Sequence, residues 1–230
     1  MPILYVVATP IGNLEDISLR ALRILREVRL IAAEDTRKTR RLLNAYNVET
    51  TLTSYHEHSK RAKVDYLAGY LEKEDLALVS EAGMPGVSDP GYDLVVAAIE
   101  RGVSVVPVPG PSAVITALVV SGLPTDQFVY VGFLPRRKGQ RQRLFSSICD
   151  EPRTIVAFEA PHRLREALTD IQEILGDRRV SVCRELTKVH EEVFRGRVSQ
   201  ARQHFDEPRG EFSLVIEGKT RAWLKFQERS

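Results

Sequence analysis

The chain has 230 residues, 43% of them hydrophobic, which is enough for one large or two small domains with ordinary cores and excludes a disordered chain. Its 33 Lys plus Arg against 31 Asp plus Glu leave a net charge of +2, so affinity for a polyanion must come from local clusters and not from the overall field. No apolar run approaches the ~20 residues that span a bilayer, and the start Met1-Pro2-Ile3-Leu4-Tyr5 has no basic stretch before its apolar segment, which points to a soluble, cytoplasmic protein with no membrane partner. Cys149 and Cys183 form no CxxC, a usage that fits reduced core thiols better than a disulfide framework or a zinc knuckle.

Residues 4–8 are apolar and β-prone and stop at Thr9-Pro10-Ile11-Gly12-Asn13, predicting a strand that delivers a stiff turn. A helix follows, capped by Asp16 or Ser18, with Leu19, Leu22 and Leu25 at three-residue spacing and Arg20, Arg23 and Arg26 beside them. Residues 30–33 read as a short buried strand closed by Glu34-Asp35, with Thr36 capping a helix over 37–46. Arg37, Lys38, Arg40 and Arg41 crowd the start of that helix, the wrong sign for its N-terminal dipole, and a local rule broken in this way is a hint of function. Residues 52–55 are β-prone, and Ser59 caps a helix whose Val64, Leu67 and Leu71 make one apolar stripe.

Residues 76–79 are a wholly apolar strand that runs into Ser80-Glu81-Ala82-Gly83-Met84-Pro85-Gly86-Val87-Ser88-Asp89-Pro90-Gly91. Glycines in such a loop let a ligand lie against backbone, and prolines leave little ordering entropy to lose, although a surface Ω-loop uses the same residues. A helix over 93–101 with Gly102 as its stop, an apolar strand over 103–106, the loop Pro107-Val108-Pro109-Gly110-Pro111-Ser112 and a helix over 113–121 ended by Gly122 follow. Apolar strands alternating with helices predict an α/β fold whose mainly parallel sheet is covered on both faces, with ligands beyond the carboxyl ends of the strands. Three Gly/Pro loops, 9–13, 80–91 and 107–112, occupy that edge. Leu123-Pro124-Thr125 after the helix stop marks a domain boundary, giving domains 1–122 and 123–230. The second half shows strands over 128–133, 154–158, 179–183 and 212–216, a helix over 163–175, and the basic run Arg136, Arg137, Lys138, Arg141 and Arg143; it predicts a second α/β domain with a mixed sheet.

Several familiar chemistries fail on spacing. Glu217-Gly218-Lys219-Thr220 ends in GKT after a strand, but a phosphate-cradling loop needs glycine at 213, which is serine. No GxGxxG and no GxSxG occurs, so neither a dinucleotide fold nor a serine-hydrolase elbow is indicated. His56-Glu57-His58 lacks the further Cys or His that would complete a metal site, and no metal is expected. What survives is a set of backbone-rich loops with Ser112 at a helix start and the carboxylates Glu81 and Asp89, suited to a ligand with a zwitterionic tail and a heterocycle.

The segment Leu4-Tyr5-Val6-Val7-Ala8-Thr9-Pro10-Ile11-Gly12-Asn13-Leu14, the motif Ala33-Glu34-Asp35-Thr36-Arg37, the 80–91 loop and the run VPGPSAVITAL over 108–118 resemble the tetrapyrrole-methylase (class III) superfamily of S-adenosylmethionine-dependent methyltransferases. Within it they resemble the branch that methylates the ribose 2'-oxygen of a cytidine in small-subunit (16S) ribosomal RNA. The likeness extends over essentially the whole chain, through Phe158-Glu159-Ala160-Pro161-His162-Arg163, Cys183-Arg184-Glu185-Leu186-Thr187-Lys188 and Gly210-Glu211-Phe212. It implies two α/β domains with S-adenosylmethionine folded in the cleft between them, and a homodimer. By motif, Pro10 and Gly12 resemble the first cofactor loop, Ala82, Gly83 and Met84 stand where many relatives have Gly-Gly-Asp, and Val87 is similar to the apolar contact that follows. Ser112 and Ala113 resemble the small pair under the cofactor, and Phe158, Glu159 and Leu186 fall where relatives line its other side. Met84 departs from the acidic residue of the porphyrin-pathway enzymes, a departure typical of the RNA branch; its polar contact must be absent or come from another group such as Glu81. Members of that branch also carry a further C-terminal segment, whereas this sequence ends soon after Trp223, which leaves a shortened form open.

Methyl transfer from a sulfonium is an in-line displacement, so such an enzyme aligns the hydroxyl with the methyl group, excludes water and assists deprotonation. Glu81, Asp35 and Lys188 are the candidate catalytic groups. Arg37, Lys38, Arg40 and Arg41, with Arg136, Arg137, Lys138, Arg141 and Arg143, are the candidate RNA contacts, their alternative being solvated charged faces. The RNA partner is small-subunit ribosomal RNA or the assembled subunit, bound with salt-dependent affinity. Two other readings stay open: a porphyrin- or corrin-precursor C-methyltransferase, disfavoured by Met84 and by basic clusters a tetrapyrrole does not need, and a non-catalytic RNA-binding protein of the same fold.

Overall fold

The computed structural model describes residues 2–56 and 61–220; Glu57, His58, Ser59 and Trp223, which the sequence reading used, lie outside them. The chain forms two compact units, Met1–Ser112 and Ala113–Ser230.

In the first unit, strands β1 (Ile3–Val7), β2 (Leu30–Ala33), β3 (Thr51–Ser54), β4 (Leu76–Val79) and β5 (Ser104–Val108) form one sheet in the order β3-β2-β4-β1-β5. Every pairing is parallel, with Leu4 opposite Leu76 and Val105, and Ala32 opposite Leu78 and Thr53. β2 and β4 are buried at every position, which is why they read as unbroken apolar runs. Alternation sends Leu76 and Leu78 to one core and Ala77 and Val79 to another. Helices α3 (Arg61–Tyr70) and α4 (Tyr92–Glu100) close the first core with Val64, Leu67, Leu94 and Ala98. Helices α1 (Leu19–Glu27) and α2 (Thr36–Ala45) close the second with Leu22, Leu25, Leu42 and Leu43. Each fully buried leucine contributes about 1.5–3 kcal/mol, so the two stripes together hold the sheet. The edges are polar or proline-bearing, with exposed Thr51 and Ser54 on β3 and Pro107 in β5.

The second unit begins with α5 (Ala113–Val120) and continues through β6 (Phe128–Phe133), α6 (Lys138–Ser147), β7 (Thr154–Glu159), α7 (Leu164–Leu175), β8 (Arg179–Arg184), β9 (Glu192–Arg197), α8 (Val198–His204) and β10 (Phe212–Ile216). Its sheet has the order β6-β7-β10-β8-β9, with β6 parallel to β7 and the other pairings antiparallel. Phe145 of α6, Leu168 and Ile171 of α7 and Ala201 of α8 pack on Ile155, Ala157, Val182 and Leu214. The expected mixed sheet is thus present. The division of the chain falls between Ser112 and Ala113 rather than after Gly122, because α5 packs on β7 and β10. Sequence patterning missed α6, β9 and α8. β9 is a half-exposed edge strand with charge at both ends, and α6 opens on a basic, glycine-containing turn, so neither shows a clean apolar period.

Candidate functional site

The carboxyl ends of β1, β4 and β5 are neighbours in the first sheet, so the loops leaving them meet. Thr9 and Gly83 form an isolated antiparallel bridge: Thr9 N–H donates to the Gly83 carbonyl at 2.9 Å and Gly83 N–H to the Thr9 carbonyl at 3.0 Å. Gly83 takes φ +81°, a conformation side chains rarely adopt, and a Cβ there would come within 3.6 Å of Ile11 Cγ2 and 3.8 Å of the Pro111 carbonyl. Ala8 N–H donates to the Val108 carbonyl at 3.1 Å, and a Cβ on Gly110 would stand 3.0 Å from Ala8 Cβ. The loops 9–13, 80–91 and 107–112 therefore form one rim that offers backbone. Pro10, Gly12, Ala82, Gly83, Met84, Val87 and Ser112 all belong to it. Met84 turns partly inward against the α3–α4 core, while Gly12 and Val87 are exposed.

Four carboxylates gather where β2 and β4 end, and each has a different environment. Glu34 accepts the Glu81 backbone N–H at 3.0 Å. Asp35 is the N-cap of α2, accepting from Arg37 N–H at 2.8 Å and Lys38 N–H at 3.3 Å; the Arg37 side chain and these N–H groups hold its pKa below the ordinary carboxylate value. Asp35 rather than Thr36 is thus the cap. Glu81 is exposed and paired with the Lys38 ammonium. Asp89 is partly buried in the 80–91 loop, and burial, then the negative charges of Glu34 and Glu81, push its pKa up to about 7 against the opposing pull of a Ser80 hydrogen bond. The sequence shows Asp89 in the loop but carries no signal that its environment separates it from the other three.

In the second unit Ala113 opens α5, and Phe158 and Glu159 end β7. Glu159 is 2% exposed; its Oε1 accepts from Ala160 N–H at 2.7 Å and pairs with Arg163 at 2.6 Å, while Oε2 is buried without a partner. Burial raises its pKa despite these contacts. Leu186 is buried in the turn after β8. Lys188 pairs with Glu185 at 3.1 Å and Glu211 at 3.0 Å; burial works against its charge, but the two carboxylates outweigh it and raise its pKa, so it is held as an ammonium.

The basic clusters divide. Arg37 leans on Asp35, Lys38 on Glu81, and Arg40 donates to the Thr50 carbonyl at 3.3 Å, while Arg41 is exposed. Arg136, Arg137, Lys138 and Arg143 are exposed around the start of α6. The expectation that Arg141 joins them is overturned: it is 0% exposed, its Nε 2.6 Å from Asp170 and its Nη2 3.3 Å from Glu166, because a helix period carries it onto α7. Gly218 of the GKT sequence has a packing role, since a Cβ would collide with the carbonyls of Pro152 and Arg153. Cys149 and Cys183 are free thiols. Among the described residues no three His, Cys, Asp or Glu side chains are grouped to hold a metal, and no helix is long and apolar enough to cross a membrane.

A doubly wound parallel unit with a glycine- and proline-built rim, followed by a mixed-sheet α/β unit, defines a methylase-type α/β fold. It is the fold of uroporphyrin-III-C-methyltransferase from Thermus thermophilus, which superposes with a TM-score of 0.64 at 20% identity over 94% of each chain. A diphthine synthase superposes with a TM-score of 0.74 at 15% identity, over 98% of this chain and 93% of that one. The chain belongs to the Tetrapyrrole (Corrin/Porphyrin) Methylases, whose family profile matches residues 3–202. Relatives named ribosomal RNA small subunit methyltransferase I are 51% identical in Halalkalibacterium halodurans, over 94% of this chain and 75% of the relative, and 51% identical in Thermotoga maritima, over 94% and 98%. The relative of that name in Bacillus subtilis is 47% identical over 95% of this chain and 76% of its own length.

Proposed function

We propose that the protein transfers a methyl group from S-adenosylmethionine to the ribose 2'-oxygen of a cytidine in small-subunit ribosomal RNA. The observation that carries this reading is the meeting of three backbone-rich loops at one sheet rim, in a chain half identical to relatives named for that ribosomal activity. The rim suits the donor. Gly83 and Gly110 let the three loops pack closely on one another and on Ala8, and the carboxylates at the ends of β2 and β4 complement a ligand carrying ammonium and sulfonium charges.

S-adenosylmethionine, when bound, supplies a methyl group activated by its positively charged sulfur. The chain's own work is to align the hydroxyl, exclude water and take a proton. Of the groups considered from the sequence, Asp35 is committed to the N–H groups of α2, Glu81 carries Lys38, and Lys188 is an ammonium with no lone pair to offer. Asp89 has the proton affinity that a base working near neutral pH needs, and in this reading it is the proton acceptor. Exposed Arg136, Arg137, Lys138 and Arg143 supply the phosphate contacts, and in this reading the enzyme works as a homodimer.

The test uses small subunits from cells lacking this methylation, incubated with the protein and isotopically labelled S-adenosylmethionine, with nucleoside mass spectrometry as the readout. Label in 2'-O-methylcytidine is expected. Donor binding by calorimetry with label only in a base, only in added porphyrin precursors, or nowhere, refutes the reading.

A further inference from the structure

One large apolar side chain stands beside the basic start of α6. Phe133, the last residue of β6, is 58% exposed. Its direction is set by an irregularity in the strand. Tyr130 pairs with Val156 and Phe133 with Phe158, so three steps on β6 match two on β7, a β-bulge, and Gly132 inside it takes φ +73°. Val131 faces the α6–α8 core; without the extra residue Phe133 would follow it there. With the bulge, Leu134, 1% exposed, fills that core position instead, and Phe133 shares a face with Tyr130 and Phe158. The rings pack edge-on: Phe158 lies with its centroid 5.3 Å from Phe133 at 62° and 5.3 Å from Tyr130 at 67°. β6 is also the sheet's edge strand.

Three features then coincide: an exposed ring aimed outward by backbone geometry, the Phe158 ring that packs against it and is itself backed by Tyr130, and Arg136, Arg137 and Lys138 exposed within five residues of it, with no acidic residue from Phe133 through Cys149. An unpaired nucleobase flanked by phosphates has the complementary chemistry, a flat π-face between negative charges. A duplex does not, because its bases are already stacked.

Building on the proposed RNA substrate, we propose that Phe133 is a stacking seat for an unpaired base of that RNA, with Arg136, Arg137 and Lys138 holding the adjoining phosphates. Tyr130 and Phe158 act through Phe133 as positioning residues. The occupant is single-stranded RNA; a protein face packed on Phe133 is the rival outcome.

The full chain is titrated into a fluorescein-labelled 12-nucleotide single-stranded RNA rich in cytidine, and into a duplex of equal length, with anisotropy as the readout. Phe133→Ala and Phe133→Leu are expected to weaken single-strand binding by about 5- to 100-fold and to leave duplex binding and the salt slope unchanged. Phe133→Tyr keeps the ring and binds within about threefold of the parent. Circular dichroism melts establish that each variant folds. Single-strand binding that is absent in the parent, insensitive to Phe133→Ala, or retained in full by Phe133→Leu overturns the seat. So does a Phe133→Ala protein that changes only its sedimentation, since the ring then serves a protein contact. Methyl transfer by the parent chain is scored separately. Transfer without a Phe133 effect on binding removes the seat and leaves the function; a Phe133-dependent single-strand affinity without transfer removes the function and leaves the seat.

Discussion

Replacing Asp89 by Asn removes the one rim carboxylate whose proton affinity lies near neutrality, and the size of the effect follows from its surroundings. A rise from 3.8 to about 7 corresponds, at 1.36 kcal/mol per pH unit, to about 4 kcal/mol. Asp89 is only partly buried, so screening by solvent reduces this to about 2 kcal/mol. Between pH 3.8 and about 7 the folded chain keeps a proton that the unfolded chain releases, so the contribution of this one group to stability falls as pH rises through that window and is gone above it. Asn does not titrate. From pH 5 to pH 8 the parent should therefore lose about 1.5 kcal/mol relative to Asp89→Asn, read as paired urea unfolding curves followed by circular dichroism. In the same range the parent's kcat/KM should climb with a midpoint near 7 as the carboxylate ionises, while the variant loses that limb and about 100-fold or more in rate. A stability gap that stays constant from pH 5 to pH 8 would refute the strained carboxylate. A variant that keeps both rate and pH limb would refute its role as base.

Asp170→Ala leaves the Arg141 guanidinium buried without its partner and should cost about 3–5 kcal/mol in chemical unfolding, whereas Arg141→Met with Asp170→Leu should recover most of the loss. Gly91→Ala puts a Cβ 2.8 Å from Gly86 N and 3.1 Å from Gly86 Cα, so the 80–91 loop must shift; a loss of about 1–3 kcal/mol in stability and weaker S-adenosylmethionine binding by calorimetry are expected. Lys38→Met frees the Glu81 carboxylate to act on Asp89 unopposed, and the midpoint of the kcat/KM profile should move upward; a downward move contradicts the charge arrangement.

The parts of this structure that were legible in the sequence are those where one physical requirement dominates. β2 and β4 must be apolar on both faces, so LIAA and LALV announce themselves, and the stiff loop after β4 needs the glycines and prolines that mark it. Arg141 was illegible for the opposite reason. A basic run looks uniform in sequence, but helical geometry turns one residue in it onto Asp170 of α7, a partner 29 positions away. Asp89 is similar: its proton affinity comes first from burial and then from Glu34, supplied by the end of another strand, and both burial and the adjacency of β2 and β4 are properties of the folded sheet. The direction of Phe133 depends on a register shift that no alternation rule anticipates.

The misplaced charge at the start of α2 finds its cause in the same adjacency. Arg37 and Lys38 oppose the helix dipole, yet Asp35 caps the helix beneath them, and their side chains reach Asp35 and Glu81, two of the four carboxylates at the strand ends. Without them the rim would hold four uncompensated negative charges, and each would raise the proton affinity of the others. The cations at Asp35 and Glu81 temper that field, and Asp89, raised by burial first and then by Glu34 and Glu81, titrates at about 7. The consequence for RNA is that two of the four cations of α2 are already spent on protein carboxylates, and a phosphate must displace an existing pair to reach them. Arg136, Arg137 and Lys138 meet no such competitor in their own stretch of sequence. Removing the α6 cations should thus lower the salt dependence of RNA binding by about one counterion each, and removing Arg37 or Lys38 by much less. An equal drop for both groups, measured by anisotropy between 50 and 200 mM salt on the order of the range in which such slopes are read, would show that the rim pairs open when RNA binds.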